Sequence, residues 1–182
     1  MAIIILDRDG VINHQSGDHV TSVDEWTPIA GSIEAMARLS QAGHQLVIAT
    51  NQSGLALGLF DLDDLEAMHA KLRALVEDAG GEVAGIFYCP HSDADHCRCR
   101  KPNTGLLDAI EAEFDTSLHD CYFVGDQRKD LECAVAKGCK PALVQSGRGE
   151  QTLASLLEDP DPGLAATAVF ADLSQFADFV LQ

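Results

Sequence analysis

The sequence predicts an α/β fold on a parallel sheet, and three observations carry that expectation. Short apolar runs end abruptly in polar residues, amphipathic stretches of helical length separate them, and the two alternate along the 182-residue chain. Strands covered on both faces read as unbroken apolar runs, and strand–helix–strand alternation closes through right-handed crossovers. One domain over residues 1–182 is expected, large enough to bury a core without disulfide staples.

Each element has its own signal. Ala2–Leu6 is branched, apolar and stopped by Asp7, which reads as a buried strand. Gly31–Ala42 places Ile33, Met36, Ala37 and Leu39 on one face and ends at Gly43, a helix with a glycine terminus. Gln45–Thr50 is a second buried strand. Asp61–Ala79 is a long amphipathic helix opened by Asp61 and closed by Gly80-Gly81, and Gly85–Tyr88 is a third strand. Thr104–Phe114 reads as helix, Cys121–Val124 as strand, Lys129–Lys137 as a helix stopped by Gly138, and Pro141–Val144 as strand. Gly147–Gly163, with its Gly, Pro and acidic residues, reads as loop plus a short helix. A weaker strand–helix pair over Ala166–Val180 closes the chain.

Net charge is −17, from 12 Lys and Arg against 29 Asp and Glu. Such a field repels phosphate backbones, so no nucleic-acid partner is expected. It also makes Arg100-Lys101 and Arg128-Lys129 stand out as local cations. No apolar run has the length of a membrane span, and MAIIILDRDG breaks into charge without a basic leader, so no membrane partner and a reducing, cytoplasmic setting are expected. In that setting the six cysteines read as metal ligands or buried thiols. Nothing in the sequence demands more than a monomer.

In a parallel sheet the site lies outside the carboxyl ends of the strands. DRDG follows the first strand, TNQSG the second and GDQRKD the fourth, so separate segments converge on one edge. A lone D-x-D is more often a turn or cap than a catalyst. Asp7, however, follows a buried strand directly, and a buried carboxylate needs a compensating partner. A divalent cation shared with Asp126 would serve, and few, hard oxygen ligands suit Mg²⁺. Asp7 could then attack phosphorus and carry an aspartyl-phosphate. Asp9, protonated at the outset, could give a proton to the leaving oxygen and later take one from water. Thr50 and Asn51 could hydrogen-bond the phosphoryl oxygens, and Lys101 could neutralise their charge.

ILDRDGVIN, VIATNQSG, CRKP and VGDQRKD, in this order, resemble the four motifs of the haloacid dehalogenase superfamily of phosphatases, over about Ile3 to Val144. The resemblance implies a three-layer Rossmann-like domain with a central parallel sheet. It makes Asp7 the nucleophile, Asp9 the acid/base, and Thr50 and Lys101 the phosphoryl holders. Mg²⁺ would sit on the Asp7 carboxylate, the Asp9 backbone carbonyl and the Asp126 carboxylate, with Asp130 supporting the metal's water.

Within that superfamily a cysteine-rich loop before the motif lysine marks a narrow branch, and Cys89, His91, Cys97 and Cys99 match its Zn²⁺ ligands. Cys-x-His and Cys-x-Cys pairs across a short loop can close a tetrahedral site with no open position, a structural zinc. The alternative is a cluster of reduced thiols without metal. His96 is a competing ligand, whereas Cys121, Cys133 and Cys139 lack partners at metal spacing and read as buried thiols. A zinc-held loop (88–102) would aim Lys101 at the phosphoryl group and Arg100 at a remote part of the substrate, such as a second phosphate.

Two families of the branch share this arrangement, the heptose-bisphosphate phosphatases of the bacterial nucleotide-heptose pathway and the histidinol-phosphatases. Asn13, Ser53, Gly58 and Phe60 lean toward the first and toward a small phosphorylated sugar. Substrate contacts are expected from Asn51, Gln52, Ser53 and Arg100, and from Ser16, Gly17, Asp18 and His19 in a loop over the sugar. Leu57 stands where the family usually has arginine, and Gln127 where some relatives have lysine or serine. The stretch from Asp9 to Thr50 is too short for an inserted cap domain. A non-enzymatic reading, a zinc-stabilised binding module with a decayed site, is weighed against the joint presence of Asp7, Asp9, Thr50, Lys101 and Asp126.

Overall fold

The computed structural model describes residues 2–182. Six parallel strands form one sheet in the order β3-β2-β1-β4-β5-β6. They are β1 (Ile3–Leu6), β2 (Gln45–Asn51), β3 (Gly85–Cys89), β4 (Tyr122–Gly125), β5 (Lys140–Val144) and β6 (Ala168–Phe170). The helices are α1 (Ser32–Gln41), α2 (Leu62–Asp78), α3 (Gly105–Phe114), α4 (Arg128–Lys137), α5 (Gly149–Glu158) and α6 (Leu173–Val180). Among the described residues no helix is long and apolar enough to cross a membrane.

The pleat of β1 divides the core. Ile4 and Leu6 point to one face, where α1, α2 and α6 supply Met36, Leu39, Leu65, Met68 and Phe176. Ile3 and Ile5 point to the other, against Leu106, Leu107 and Ile110 of α3 and Cys133 and Ala134 of α4. Alternate side chains of a strand must face opposite ways, so an unbroken apolar strand requires helices on both sides. The result is three layers, with β1 fully covered at the centre.

The order fixes where the site falls. From β1 the chain winds through β2 to β3. It then returns to pair β4 with the free side of β1, Ile5 lying opposite Phe123, and winds the other way through β5 to β6. The crevice lies where the winding reverses, at the carboxyl ends of β1 and β4. Those ends run into Asp7 and Asp126, and the Asp7 N–H donates to the Val124 carbonyl at 2.9 Å.

Most element boundaries lie one residue from the sequence reading. β3 runs on to Cys89, pairing it with Asn51. α4 starts at Arg128, because Gln127 N–H donates to the Asp130 carboxylate in a capping box. The short helix expected within Gly147–Gly163 is the ten-residue α5, packed through Leu153 and Leu156 onto Leu143. Pro141 sits within β5, but β6 pairs only from Ala142 onward, so the missing N–H costs no ladder bond.

Candidate active site

The turn after β1 is built from its own backbone. Ile12 and Asn13 N–H both donate to the Arg8 carbonyl, and Gly10 N–H donates to the Asn13 carbonyl. Gly10 lies at φ +83°, and a Cβ there would stand 2.1 Å from Asp126 Oδ2. Gly147, at φ +60°, crowds the same oxygen from the loop after β5. Glycine is required at both positions because the two loops close over the Asp126 carboxylate.

Asp7, Asp126, Asp130 and Lys101 are buried together. Lys101 Nζ lies 2.9 Å from Asp7 Oδ1 and donates to the Ala49 carbonyl at 2.8 Å. It also lies 2.7 Å from Asp130 Oδ1, an ion pair off hydrogen-bond alignment. Asn51 fixes the Lys101 backbone from the end of β2, its Oδ1 accepting from Lys101 N–H at 3.0 Å and its Nδ2 donating to the Lys101 carbonyl at 3.1 Å. Asp126 Oδ2 accepts from Arg148 N–H at 2.9 Å, whereas the buried Asp126 Oδ1 has no hydrogen-bond partner.

Three carboxylates, each offering one oxygen within 4.8 Å of the others, therefore share one ammonium. The excess of two negative charges and the orphaned Oδ1 are what a divalent, oxygen-seeking ion would satisfy. Without it, burial foremost, with Asp7 and Asp130 adding repulsion, pushes Asp126 up to about 8. Burial likewise pushes Asp7 up to about 6 against the opposing pull of Lys101. Burial works against the Lys101 charge, but Asp130 and Asp7 outweigh it and hold the amine firmly protonated.

Asp9 is in a different condition. Its Oδ1 accepts from Arg8 Nε and Nη2 at 3.0 and 2.7 Å and from Asn13 Nδ2 at 2.9 Å, and its Oδ2 accepts from Gln52 Nε2 at 3.0 Å. Burial opposes ionisation, yet these donors prevail and lower its pKa. Against the expectation that Asp9 begins protonated, these donors hold its carboxyl below the usual carboxylate range. The Arg8 guanidinium is itself fully buried, with Nη1 3.2 Å from His69 Nε2 of α2. Burial, then Arg8, push His69 down to about 3, so the ring is neutral.

These groups open into a cleft of about 480 Å³, within the range of small-molecule sites. Of the expected residues, Asp7, Asp9, Asp18, His19, Asn51, Gln52, Ser53, Arg100 and Lys101 line it. Ser16 and Gly17 are exposed outside the lining. Thr50 is buried beneath it, its Oγ1 accepting from Gln52 Nε2 at 2.9 Å. Leu57 and Gln127 are on the wall.

Arg8, Gln15, His69, Asp93, Lys129 and Arg148 were not anticipated. Lys129 belongs to a cation pair conspicuous in the sequence, and His69 follows the apolar stripe of α2. Arg148 lies in the segment read as loop plus a short helix and gave no signal.

At the end of β3, Cys89 Sγ lies 3.6 Å from Cys97 Sγ and 3.1 Å from Cys99 Sγ, with Cys97 and Cys99 3.6 Å apart. His91 Nδ1 lies 3.6 Å from Cys89 Sγ and 3.3 Å from Cys99 Sγ. Sulfurs on a tetrahedron with metal–sulfur bonds of about 2.3 Å stand about 3.8 Å apart, so the two 3.6 Å spacings approach those of a Cys₃His zinc site, and the Cys89–Cys99 pair at 3.1 Å is tighter. His96 is exposed and outside the cluster. Arg100 N–H donates to Cys97 Sγ at 3.3 Å, which joins the cluster to the two site cations that follow it.

The HAD-hydrolase-like family model matches residues 98–176. D-glycero-beta-D-manno-heptose-1,7-bisphosphate 7-phosphatase of Pseudomonas aeruginosa is 50% identical over 100% of this chain and 98% of that protein. The Neisseria meningitidis protein of the same name is 46% identical over 100% and 96%. Among solved structures, D,D-heptose 1,7-bisphosphate phosphatase from Bordetella bronchiseptica, complexed with magnesium and phosphate, superposes with a TM-score of 0.94. It is 46% identical and covers 100% of this chain and 99% of that one.

Proposed function

The chain belongs to the D-glycero-beta-D-manno-heptose-1,7-bisphosphate 7-phosphatase family of HAD-like hydrolases, and from that premise we propose that it removes the 7-phosphate of D-glycero-D-manno-heptose 1,7-bisphosphate, a step toward nucleotide-activated heptose. The observation that carries this reading is the buried group of Asp7, Asp126, Asp130 and Lys101 at the floor of a cleft whose outer wall holds further cations.

Asp7 is the nucleophile. Lys101 and Arg8 N–H both engage its Oδ1, so Oδ2 is the oxygen that attacks phosphorus in line with the bond to the sugar's 7-oxygen. That bond breaks, an aspartyl-phosphate forms, and the departing oxygen takes a proton from Asp9. A phosphate dianion beside Asp9 raises its pKa and opposes the lowering by Arg8, Asn13 and Gln52, which lets it carry that proton. Asp9 then removes a proton from water, the water oxygen bonds phosphorus, and the bond to Asp7 breaks to free orthophosphate. Lys101, fixed by Asn51, faces the phosphoryl oxygens as charge spreads over them.

The carboxylates of Asp7 and Asp126 and the backbone carbonyl of Asp9 would hold Mg²⁺, with Asp130 behind them. When bound, the ion supplies charge neutralisation to the phosphoryl group and to Asp7. Cys89, His91, Cys97 and Cys99 would hold Zn²⁺ as a structural ion that fixes the loop carrying Arg100 and Lys101.

The test is phosphate release with Mg²⁺ from heptose 1,7-bisphosphate and from histidinol phosphate at equal concentration. The reading expects a large preference for the bisphosphate. A preference for histidinol phosphate would move the protein to amino-acid biosynthesis.

A further inference from the structure

The cleft carries cations that phosphoryl transfer does not use. Arg100, Lys129 and Arg148 line it in a protein of net charge −17. Both guanidinium groups are occupied by aspartates of the rim. Arg148 Nη2 donates to Asp18 Oδ1 at 2.8 Å. Arg100 Nε donates to Asp93 Oδ1, leaving the buried Arg100 Nη1 without a hydrogen-bond partner. Lys129 also acts on Asp93 electrostatically.

The two aspartate side chains are 86% and 90% exposed. Ion pairs so wetted contribute little to stability, so exchanging either partner costs little. The arginines are better fixed at their backbones. Arg148 N–H donates to the Asp126 carboxylate and Arg100 N–H to Cys97 Sγ, so one cation is tied to the floor of the site and the other to the thiol cluster.

We propose that Arg148, together with Lys129 and Arg100, binds the anionic group at the far end of the substrate, and that Asp18 and Asp93 are internal counterions which this group displaces. The inference rests on the bisphosphate reading. It adds Arg148 and Lys129 as specificity residues and makes Asp18 a competitor of substrate, not a ligand. A phosphate dianion accepts paired bonds from guanidinium and brings more charge than a single carboxylate, so it wins the exchange, and the freed aspartates turn to water. An ester without a second anion leaves both ion pairs closed and gains nothing from the three cations.

The experiment compares kcat/KM for heptose 1,7-bisphosphate and heptose 7-phosphate in the wild type and in Arg148→Met, Lys129→Met and Asp18→Asn. The wild type is expected to prefer the bisphosphate, and Arg148→Met to cut that preference about tenfold. Lys129→Met is expected to cut it about threefold, and Asp18→Asn to lower KM for the bisphosphate about threefold, as its competitor is removed. A preference unchanged in Arg148→Met or in Lys129→Met, or a raised KM in Asp18→Asn, would overturn this subsite and leave the phosphatase reading intact. A wild type that hydrolyses neither ester would overturn the phosphatase reading and the subsite with it.

Discussion

Lys101 Nζ lies 2.9 Å from Asp7 Oδ1, both side chains almost wholly out of water. The two residues reach each other from distant parts of the sequence. Asp7 is delivered by the end of β1, and Lys101 by the loop after the thiol cluster, gripped at its backbone by Asn51. The pair leaves Asp126 and Asp130 with more negative charge than one ammonium can balance.

Asp7→Asn keeps the shape of the side chain and removes the attacking oxygen. Turnover is expected to fall by at least ~10³-fold, with a circular dichroism spectrum and thermal midpoint close to wild type. Equal rates in the two proteins would assign the activity to another group.

Lys101→Met removes the ammonium and leaves its buried carboxylates unpaired. A loss of about 3 kcal/mol in urea unfolding is expected near neutral pH. The loss should shrink in acid, where the carboxylates protonate. The rate should fall by about 10²-fold or more. A variant as stable as wild type at neutral pH would contradict the charge account.

Asp7 and Asp126 are raised to about 6 and about 8, by burial foremost. A raised carboxylate favours the folded state while protonated. That contribution is complete below the unfolded value of 3.8 and is lost as pH climbs through the folded value. Protein free of Mg²⁺ should therefore melt roughly 5 °C lower at pH ~8 than at pH ~5. Saturating Mg²⁺ should remove most of the difference. Melting curves that ignore Mg²⁺ at pH ~8 would count against Asp126 as a ligand.

The thiol cluster makes a separate prediction. A strong chelator should lower the melting temperature, Zn²⁺ should restore it, and Mg²⁺ alone should not. Activity should fall with the fold, because the cluster acts through the position of Arg100 and Lys101. Activity lost at unchanged stability would place the chelated metal in the catalytic centre.

Much of this site was legible in the sequence because backbone topology delivers it. An apolar run followed by an aspartate is both a strand and a strand end, so Asp7, Asn51 and Asp126 could be assigned to one sheet edge before any contact was known. The thiol cluster was legible because its four ligands are close in sequence. What escaped depends on side-chain packing between distant segments. The ionised state of Asp9 is set by Arg8, Asn13 and Gln52, and no spacing rule announces that three donors converge on it. The short helix α5 was legible within Gly147–Gly163, but nothing in the sequence tied Arg148 at its cap to the cleft.

The most direct test traps the covalent intermediate. Protein turning over the bisphosphate with Mg²⁺ is quenched in acid and reduced with borohydride, which converts an aspartyl-phosphate to homoserine, and the peptides are sequenced by mass spectrometry. The account predicts homoserine at residue 7 alone, dependent on substrate and Mg²⁺ and absent in Asp7→Asn. Homoserine at another carboxylate, or none during steady turnover, would contradict it.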